Sequence, residues 1–528
     1  MSPSLSFPSL IAHLDLKGVR FQPGYALEYL ENLKALGYDA VLVEYEDLFP
    51  FRTACFSEHP GEVWSREFLR TFLEKAKSLG IGIIPLQQCL SHLEYIFRWN
   101  EYRRYCLPYG TPRDLHIGRP EARQWLKGLL EEVLEVHPDS RWIHIGMDEA
   151  RPLLLHAQAE GREVLDLFLE YLDELCTLCH RHGKVPLIWS DMLEDHIAPE
   201  YFERLLAFRD RLVLVPWEYS AAGGPQPVVR FSGMRCSRRW LEEPSKAPLE
   251  ARNLREGLLW FEDWPPEIKA LVGKYQISPW AMEPFFQAAV WRDLGFTVWG
   301  AAAAAFTFDR SLLPHYHRRH ENISAWRALI AKEQLGGLLA TQWARSNSCS
   351  VPNLLPDVVW PVLARAGAGL AVFFEGIAEE ELERLFHLIG RCREGWNLEA
   401  RVLEEMDRLS PRLGSHHFEW ATIRLMLEIQ RTTRSLEELE ELGRCYGGIG
   451  RLPGVAWEGR KSELDAIGEA LRPLEAQART HLGQRYHGAA LEEWFYRVFT
   501  TLCERIARLD EVICNGIAAR ETKQPLQS

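Results

Sequence analysis

The alternation of short apolar runs with helical patterns constrains the fold of this chain more than any other feature of its sequence. Several runs are apolar at successive positions, as expected for parallel strands that are buried on both faces. Amphipathic helical patterns such as "YALEYLENLKALG" separate the runs. The eight runs read LIAHLDL, AVLVEYE, GIGIIPLQ, WIHIGMD, PLIWSDM, RLVLVPWEY, FTVWGAA and GGLLATQW. Eight repeats favour a closed parallel barrel over an open sheet, so the sequence predicts an α/β fold of the (β/α)8 TIM barrel type.

The length and the later pattern of the chain predict more than one domain. A chain of 528 residues exceeds one ordinary domain, and we assign residues 1–375 to the barrel. In residues 376–528 long amphipathic helices replace the strand and helix alternation, which predicts an all-α C-terminal domain. The charged faces of these helices suit solvent, and their apolar stripes are also compatible with a homodimer.

The spacing after the sixth run is longer than a loop and a helix require. The extra stretch, at about residues 222–283, contains Trp240, Trp260, Trp264 and Trp280. Because it leaves from the end of the sixth strand, we expect an insertion on the carboxyl-end face of the barrel. A small packed subdomain whose tryptophans are merely core residues is the other interpretation.

Composition and charge limit the kind of partner. The formal net charge of −13 disfavours nucleic acids and anionic membranes, because surfaces that bind phosphate are normally basic. No apolar run approaches the length that crosses a membrane, and the N-terminal "MSPSLSFPSLIAHLDLKG" lacks the pattern of a secretion signal. The 11 cysteines are odd in number and irregularly spaced, which fits reduced thiols in a cytoplasm. We therefore expect a cytoplasmic protein with a small, neutral substrate.

Polar and aromatic residues follow the apolar core of several runs. In a parallel barrel the carboxyl ends of all strands form one rim, and ligand sites lie there. Flat indole rings suit the faces of sugars as well as protein cores. The residues that we place at this rim include Trp189, Asp191, Trp217, Tyr219, Trp299 and Trp343.

The fourth run, "WIHIGMDEA", ends in two adjacent carboxylates, Asp148 and Glu149. Side chains alternate along a strand, so these two should diverge and address different parts of a bound molecule. Two carboxyl groups whose surroundings separate their pKa values are typical of an acid working beside a charge stabiliser. The alternative is structural, with Asp148 capping the N-terminus of the helix that follows.

This motif resembles a known family. "HIGMDEA" resembles the His-x-Gly-x-Asp-Glu signature of glycoside hydrolase family 20, the β-N-acetylhexosaminidases, and the surrounding blocks resemble a hexosaminidase D-like branch. These blocks are HLDLKG, VEYEDLFP, IPLQQCLSHLEY, LEVHP, PLIWSDML and PWEYSA. Their number and their common order along the barrel argue against chance.

The resemblance implies a retaining mechanism in which the substrate supplies the nucleophile. Glu149 would protonate the leaving oxygen and later deprotonate water. Asp148 would orient the N–H of the 2-acetamido group, whose carbonyl oxygen attacks the anomeric carbon to give an oxazolinium ion. Tyr219 would donate a hydrogen bond to the acetamido oxygen. Neither a metal ion nor a cofactor is implied.

The resemblance also implies a set of residues that bind the sugar. Trp189, Trp217 and Trp343 match aromatic walls of the pocket, and the alternative for any one of them is a place in the protein core. His92, in "LSHLEY", matches a histidine that hydrogen-bonds the acid and sets its proton affinity. Asp191 either lines the pocket or closes a hydrogen bond within the barrel. Trp299 and Arg345, from the seventh and eighth blocks, complete the predicted site.

Two blocks depart from the family pattern. The eighth reads "TQWARSNSCS", in which Ser346 and Asn347 replace a tyrosine and an aspartate that relatives commonly carry, so the preferred sugar and linkage are open. The seventh reads "WGAAAAAFTFD", whose five alanines either open room beside the pocket or let a helix pack closely on the strand.

The expected activity is that of an exo-β-N-acetylhexosaminidase acting on terminal β-linked GlcNAc or GalNAc of a small glycoconjugate or oligosaccharide. Two alternatives stay open at this point. One is a retaining glycosidase with two catalytic carboxylates, such as Glu149 and Glu218. The other is a catalytically weak barrel that binds sugars.

Overall fold

The computed structural model describes residues 9–17, 20–220, 222–243, 258–306, 309, 311–343, 354–392, 398–445 and 454–521. These residues belong to two units. The first unit takes its described residues from 1–17, 27–304 and 318–342, and the second takes them from 18–26, 305–317 and 343–528. The predicted domain boundary at residue 375 stays a prediction.

A parallel barrel forms the first unit, and each of the eight predicted runs contributes to it. Its strands are β1 (Leu10–Asp15), β2 (Ala40–Glu44), β3 (Gly82–Leu86), β4 (Trp142–His144), β5 (Val185–Trp189), β6 (Val213–Val215), β12 (Thr297–Val298), β13 (Gly300–Ala305) and β14 (Leu338–Gln342). Neighbouring strands pair in parallel from β1 to β6, and β1 also pairs with β14. The predicted fold class is therefore confirmed.

The barrel closes through one strand that is interrupted at Trp299. On one side the backbone N–H of Trp299 donates to Leu214 of β6 at 3.0 Å, and that of Ala301 donates to Pro216 at 3.0 Å. On the other side the N–H of Gly300 donates to Gly337, which immediately precedes β14, at 2.9 Å. Since β12 and β13 are two halves of one strand, nine pairing segments make an eight-stranded ring.

The alanine run in β13 serves close packing. All five residues from Ala301 to Ala305 are buried. A Cβ atom added to the preceding Gly300 would lie 2.4 Å from the ring of Trp326, so this indole packs directly on the backbone of the strand. Small residues here let the helix that carries Trp326 approach the barrel, which favours the second of the two interpretations of the run.

Helices follow the strands of the barrel, and two further short helices lie in the insertion after β6. They are α1 (Pro23–Ala35), α2 (Arg66–Leu79), α3 (Glu94–Phe97), α4 (Pro120–Val136), α5 (Pro152–Ala159), α6 (Val164–Arg181), α7 (Asp191–His196), α8 (Phe202–Leu206), α9 (Arg239–Glu242), α10 (Pro266–Val272), α11 (Phe286–Asp293) and α12 (Tyr316–Glu333). Local sequence sets their ends. For example, the Ser65 hydroxyl accepts the N–H of Phe68 at the start of α2, and Gly80 ends α2 in the left-handed conformation at φ +67°.

The predicted insertion lies between β6 and α11 and has its own small sheets. Three short strands, β7 (Val228–Arg230), β8 (Met234–Cys236) and β9 (Leu259–Trp260), form one sheet, and β10 (Gln276–Ser278) pairs with β11 (Ala281–Met282). Trp264 is buried, stacks on Phe261, and donates its indole N–H to the carbonyl of Phe231 at 2.9 Å. Trp240, Trp260 and Trp280 are only half-buried. The insertion is thus a packed subdomain that also exposes aromatic surface.

The described part of the second unit is helical beyond residue 356. Its helices are α13 (Trp360–Ala366), α14 (Leu370–Phe373), α15 (Glu379–Gly390), α16 (Leu398–Leu409), α17 (His417–Cys445), α18 (Gly454–Leu482), α19 (Gly488–Phe495) and α20 (Thr501–Glu521). Inside the unit, Arg485 Nη1 lies 2.5 Å from carboxylate oxygens of both Asp357 and Glu419, which are fully buried. None of the described helices is long and apolar enough to cross a membrane.

Candidate active site

The predicted carboxylates follow β4 on a backbone of unusual conformation. Gly146, Met147 and Glu149 have positive φ values of +69°, +81° and +47°. A side chain at Gly146 is excluded because its Cβ would lie 1.9 Å from Gln88 Oε1. Left-handed conformations at non-glycine residues are costly and persist where surrounding contacts impose them, commonly at functional sites. The chain is thus bent at the carboxyl end of β4, where it delivers two acidic side chains.

Asp148 and Glu149 differ in their exposure. The Asp148 side chain is 8% exposed and that of Glu149 is 32% exposed. Helix α5 starts only at Pro152, and Arg151 stands at its cap position without a side-chain capping bond. The interpretation of Asp148 as a helix cap is therefore wrong.

His92 joins the two carboxylates. Its Nε2 atom lies 3.2 Å from Asp148 Oδ2 and 3.5 Å from Glu149 Oε2. His92 lies in the loop between β3, which ends at Leu86, and α3, and its φ of +57° is also left-handed. The structure therefore brings together three of the predicted site residues.

The pKa values at this cluster show where its proton resides. Burial acts to lower the pKa of His92, but the charge of Asp148 and hydrogen bonds to both carboxylates outweigh it and raise that pKa to about 10. The hydrogen bond from His92 is the main cause that lowers the pKa of Glu149 to about 2, with Arg151 and Arg113 adding to it against partial burial. At neutral pH the proton is on His92, and Glu149 is ionised.

Asp191 and Trp217 lie beside the same carboxylates. Asp191 Oδ2 accepts the backbone N–H of Glu149 at 2.9 Å, and its Oδ1 accepts the indole N–H of Trp217 at 3.3 Å. Burial, and after it the charge of Asp148, raises the pKa of Asp191 well above its usual range. The ring of Trp217 stacks on that of Tyr219 with centroids 5.1 Å apart.

Helix α12 holds the segment that carries Tyr219. Arg319 donates to the carbonyl of Tyr219 at 2.8 Å, while Asn322 and Trp326 donate to the carbonyl of Glu218 at 2.9 and 3.0 Å. These bonds satisfy buried backbone acceptors just beyond β6. They fix the direction in which the Tyr219 side chain leaves the backbone.

The remaining predicted site residues are distributed differently. Trp189, the last residue of β5, is fully buried with its ring 4.2 Å from that of His144. Trp299 lies near the amino end of its strand, where its ring is 5.3 Å from that of Trp142, the first residue of β4. This placement contradicts the expectation that Trp299 is at the carboxyl-end rim, because its strand continues through the alanines to Ala305. Trp343 is half-buried in the second unit, and Arg345 lies outside the described residues.

Sequence reasoning missed Arg113, which contacts the catalytic candidate directly. Its guanidinium donates to Ser91 Oγ at 2.9 Å and to the carbonyl of Glu149 at 3.2 Å, and lies 3.8 Å from Glu149 Oε2. Arg113 stands in the loop between α3 and α4 and belongs to no motif that marks it.

Two acidic residues just beyond β2 also have cationic partners. Asp47 contacts Arg98 at 3.1 Å, and Glu46 lies 3.6 Å from the buried Lys17.

Sequence comparisons relate this chain to known glycoside hydrolases. Residues 42–221 match the model of "Glycosyl hydrolase family 20, catalytic domain". The chain is similar to Hexosaminidase D of Bos taurus, with 27% identity over 223 residues that cover 40% of this chain and 63% of the relative. It is also similar to Hexosaminidase D of Homo sapiens, with 28% identity over 231 residues that cover 42% of this chain and 47% of the relative. The resemblance seen in the sequence motifs is therefore confirmed.

The matched segment covers the site but only part of these relatives. It contains the predicted site residues except Trp299, Trp343 and Arg345. The chain spans less than two thirds of the length of either Hexosaminidase D. Among solved structures, the β-N-acetylhexosaminidase from Bacteroides fragilis matches at a TM-score of 0.41 and 15% identity over 68% of this chain and 65% of that one. The exo β-N-acetylglucosaminidase from Vibrio harveyi matches at 0.43 and 12%, over 76% and 58%.

Proposed function

We propose that this chain, as a protein similar to family 20 glycoside hydrolases, is an exo-β-N-acetylhexosaminidase that removes terminal β-linked GlcNAc or GalNAc with retention of configuration. One observation carries the proposal. Asp148 Oδ1 is buried and has no hydrogen-bond partner among the described residues, while Asp148 Oδ2 is held by His92. A buried carboxylate oxygen without a donor is costly, and the N–H of an acetamido group is a donor that satisfies it.

The neighbouring residues support a sugar bound in this orientation. The stacked rings of Trp217 and Tyr219 offer an apolar wall for the acetamido methyl group, and the Tyr219 hydroxyl supplies a donor for its carbonyl oxygen. With the amide held between Asp148 and Tyr219, its oxygen is folded beneath the anomeric carbon. Such tethering replaces an encounter between two molecules and contributes up to about 7 to 11 kcal/mol in favourable systems.

The proton for the leaving oxygen starts on His92 and reaches the substrate through Glu149. A sugar that covers Glu149 removes water from this partly exposed carboxylate and raises its pKa. His92 Nε2 lies 3.5 Å from Glu149 Oε2, close enough to transfer its proton as the pKa values converge. Glu149 then protonates the departing oxygen while the amide oxygen bonds to the anomeric carbon. Asp148 stabilises the positive oxazolinium ion, and Glu149 finally takes a proton from the water that opens it.

The proposal is tested with chromogenic sugars. Wild type should release nitrophenol from nitrophenyl β-GlcNAc or β-GalNAc but not from the β-glucoside, which lacks the amide. Glu149→Gln and Asp148→Asn should each lower kcat by at least about 10²-fold. Glu203→Gln, an exposed change in α8, serves as the matched control and should retain full activity.

Other outcomes would support the two alternatives. Equal cleavage of the glucoside, together with no inhibition by a thiazoline analogue of the oxazolinium ion, would indicate two catalytic carboxylates. Sugar binding without release from any substrate would indicate a binding protein.

We also propose a cytoplasmic location and a homodimer. The location is based on the odd, irregular set of 11 cysteines, and cell fractionation tests it. The dimer is based on the apolar stripes of the C-terminal helices, and light scattering on the purified chain tests it.

A further inference from the structure

The short helix α7 connects three strand ends at the candidate active site. It begins at Asp191, two residues after β5 ends at Trp189. One carboxylate oxygen of Asp191 accepts a hydrogen bond from the backbone N–H of Glu149, beyond β4. The other accepts one from the indole N–H of Trp217, beyond β6. Both oxygens thus accept hydrogen bonds from protein groups, as in the alternative in which Asp191 closes a hydrogen bond within the barrel.

The hydrogen bond that Asp191 accepts from Glu149 involves a residue whose backbone conformation is strained. Glu149 has a φ of +47°, a conformation that residues with a Cβ adopt only where contacts impose it. Asp191 holds the N–H of this residue, and Arg113 holds its carbonyl at 3.2 Å. The two bonds hold the two peptide groups that flank the Cα atom of Glu149, so they set the direction in which the Glu149 carboxylate points.

The other end of α7 is held by the insertion. The turn between β7 and β8 donates the N–H of Ser232 to the Glu194 carbonyl at 2.7 Å and that of Gly233 to the Asp195 carbonyl at 2.8 Å. These carbonyls belong to the last turn of a helix, which lacks partners of its own. Arg230, in β7, adds an ion pair with Asp195 at 3.2 Å.

A buried carboxyl fixes the middle of α7. Glu194 Oε1 accepts the Ser190 hydroxyl at 2.6 Å and the indole N–H of Trp291 at 3.1 Å. Helix α7 is therefore anchored to α11 on one side and to the insertion at its end. Its contacts thus run from the insertion to the backbone N–H of Glu149.

We infer that Asp191 is a positioning residue for the acid Glu149, and that the insertion sets its position through α7. The inference rests on the proposed function, since it concerns the residue that protonates the leaving group. It gives the insertion a role in proton transfer that does not require contact with substrate.

The test compares two β-GlcNAc substrates that differ only in the leaving group. Nitrophenolate leaves with little help from an acid, whereas an alkyl alcohol needs the proton, so their kcat ratio reports acid catalysis. Asp191→Ala should lower kcat on the alkyl glycoside by about 10²-fold and on the nitrophenyl glycoside by less than about tenfold, with KM little changed. Asp191→Asn, which keeps one acceptor oxygen, should fall between wild type and Asp191→Ala.

Two arginines of the insertion provide a matched pair. Arg230→Met removes the ion pair to α7 and should change the kcat ratio in the same direction, by about twofold, because an exposed pair contributes little. Arg238→Met removes a similarly exposed pair, with Asp263, that does not touch α7, and should leave the ratio unchanged.

The results that overturn the inference are distinct from failure of the proposed function. If Asp191→Ala slows both substrates by the same factor, or raises KM for both, Asp191 supports folding or binds the sugar instead. If wild type cleaves neither substrate, the proposed activity itself is wrong. Thermal unfolding of each variant identifies any loss that comes from misfolding.

Discussion

Replacing His92 with glutamine should shift the pH range in which the protein is active towards acid pH. In wild type the proton of the cluster is retained until pH approaches the His92 pKa of about 10. Without the imidazolium the pKa of Glu149 should rise from about 2 towards its ordinary 4.5, because its main cause of lowering is the hydrogen bond from His92. In the variant, Glu149 therefore loses its proton at a pH near 4.5, the ordinary pKa of a glutamate side chain.

The size of the effect follows from the protonated fraction. One pH unit above a pKa lowers that fraction tenfold, so at neutral pH about one Glu149 in 300 keeps its proton in the variant. We expect kcat/KM of His92→Gln to be lower than wild type by about two orders of magnitude at neutral pH. It should recover about tenfold for each unit of acidification down to about pH 5.

The assay is kcat/KM across this pH range on an alkyl β-GlcNAc glycoside, whose alcohol leaving group needs the proton, and the released GlcNAc is measured directly. Circular dichroism at each pH confirms that the variant is folded. His182→Gln, at the exposed C-terminal end of α6, is the matched control and should keep the wild-type profile. A constant loss of activity at every pH would refute the role of His92 as proton holder.

Three further predictions concern stability and geometry. Folding raises the pKa of His92, so the protonated imidazole stabilises the folded protein fully below pH 6.5, and this stabilisation is lost as pH rises to about 10. The free energy of unfolding that His92→Gln loses relative to wild type should therefore shrink between pH 6.5 and about 10. A difference in urea denaturation that stays constant over this range contradicts the prediction. Gly146→Ala should nearly abolish turnover because its Cβ meets Gln88 Oε1 at 1.9 Å, whereas Gly161→Ala, at a similar φ of +65° in open space, should cost only about 1 kcal/mol and no activity. Arg485→Met should destabilise the second unit by about 3 to 5 kcal/mol in urea denaturation because it removes the guanidinium that two buried carboxylates share, while the surface change Arg460→Met should cost less than about 1 kcal/mol.

Much of the barrel was predictable because buried parallel strands leave a strong local signal. Each apolar run coincides with a strand, and the two carboxylates follow β4 as its motif indicates. The position of Trp299 was not predictable in this way. A run of alanines does not distinguish a strand from other structure by its hydrophobic pattern. Nothing in "FTVWGAA" therefore showed that the strand continues to Ala305, which leaves Trp299 near its start.

The contacts that complete the site depend on tertiary structure. Arg113 reaches Glu149 from a loop 36 residues earlier, and Asp191 reaches it from a helix 42 residues later. Neither residue lies at a spacing that one helix or strand explains. Family resemblance placed Asp191 near the pocket, but the hydrogen bonds that both its oxygens accept from protein donors depend on the tertiary fold.

The most direct test of the account is the dependence of rate on the nucleophilicity of the substrate's own amide. Nitrophenyl β-glycosides whose acetamido methyl carries increasing numbers of fluorine atoms keep the sugar and the leaving group constant while weakening the carbonyl oxygen. The account predicts that kcat/KM falls steadily along the series, by at least about 10²-fold, because attack by that oxygen is the bond-forming step. A rate that is the same for all members of the series would contradict it.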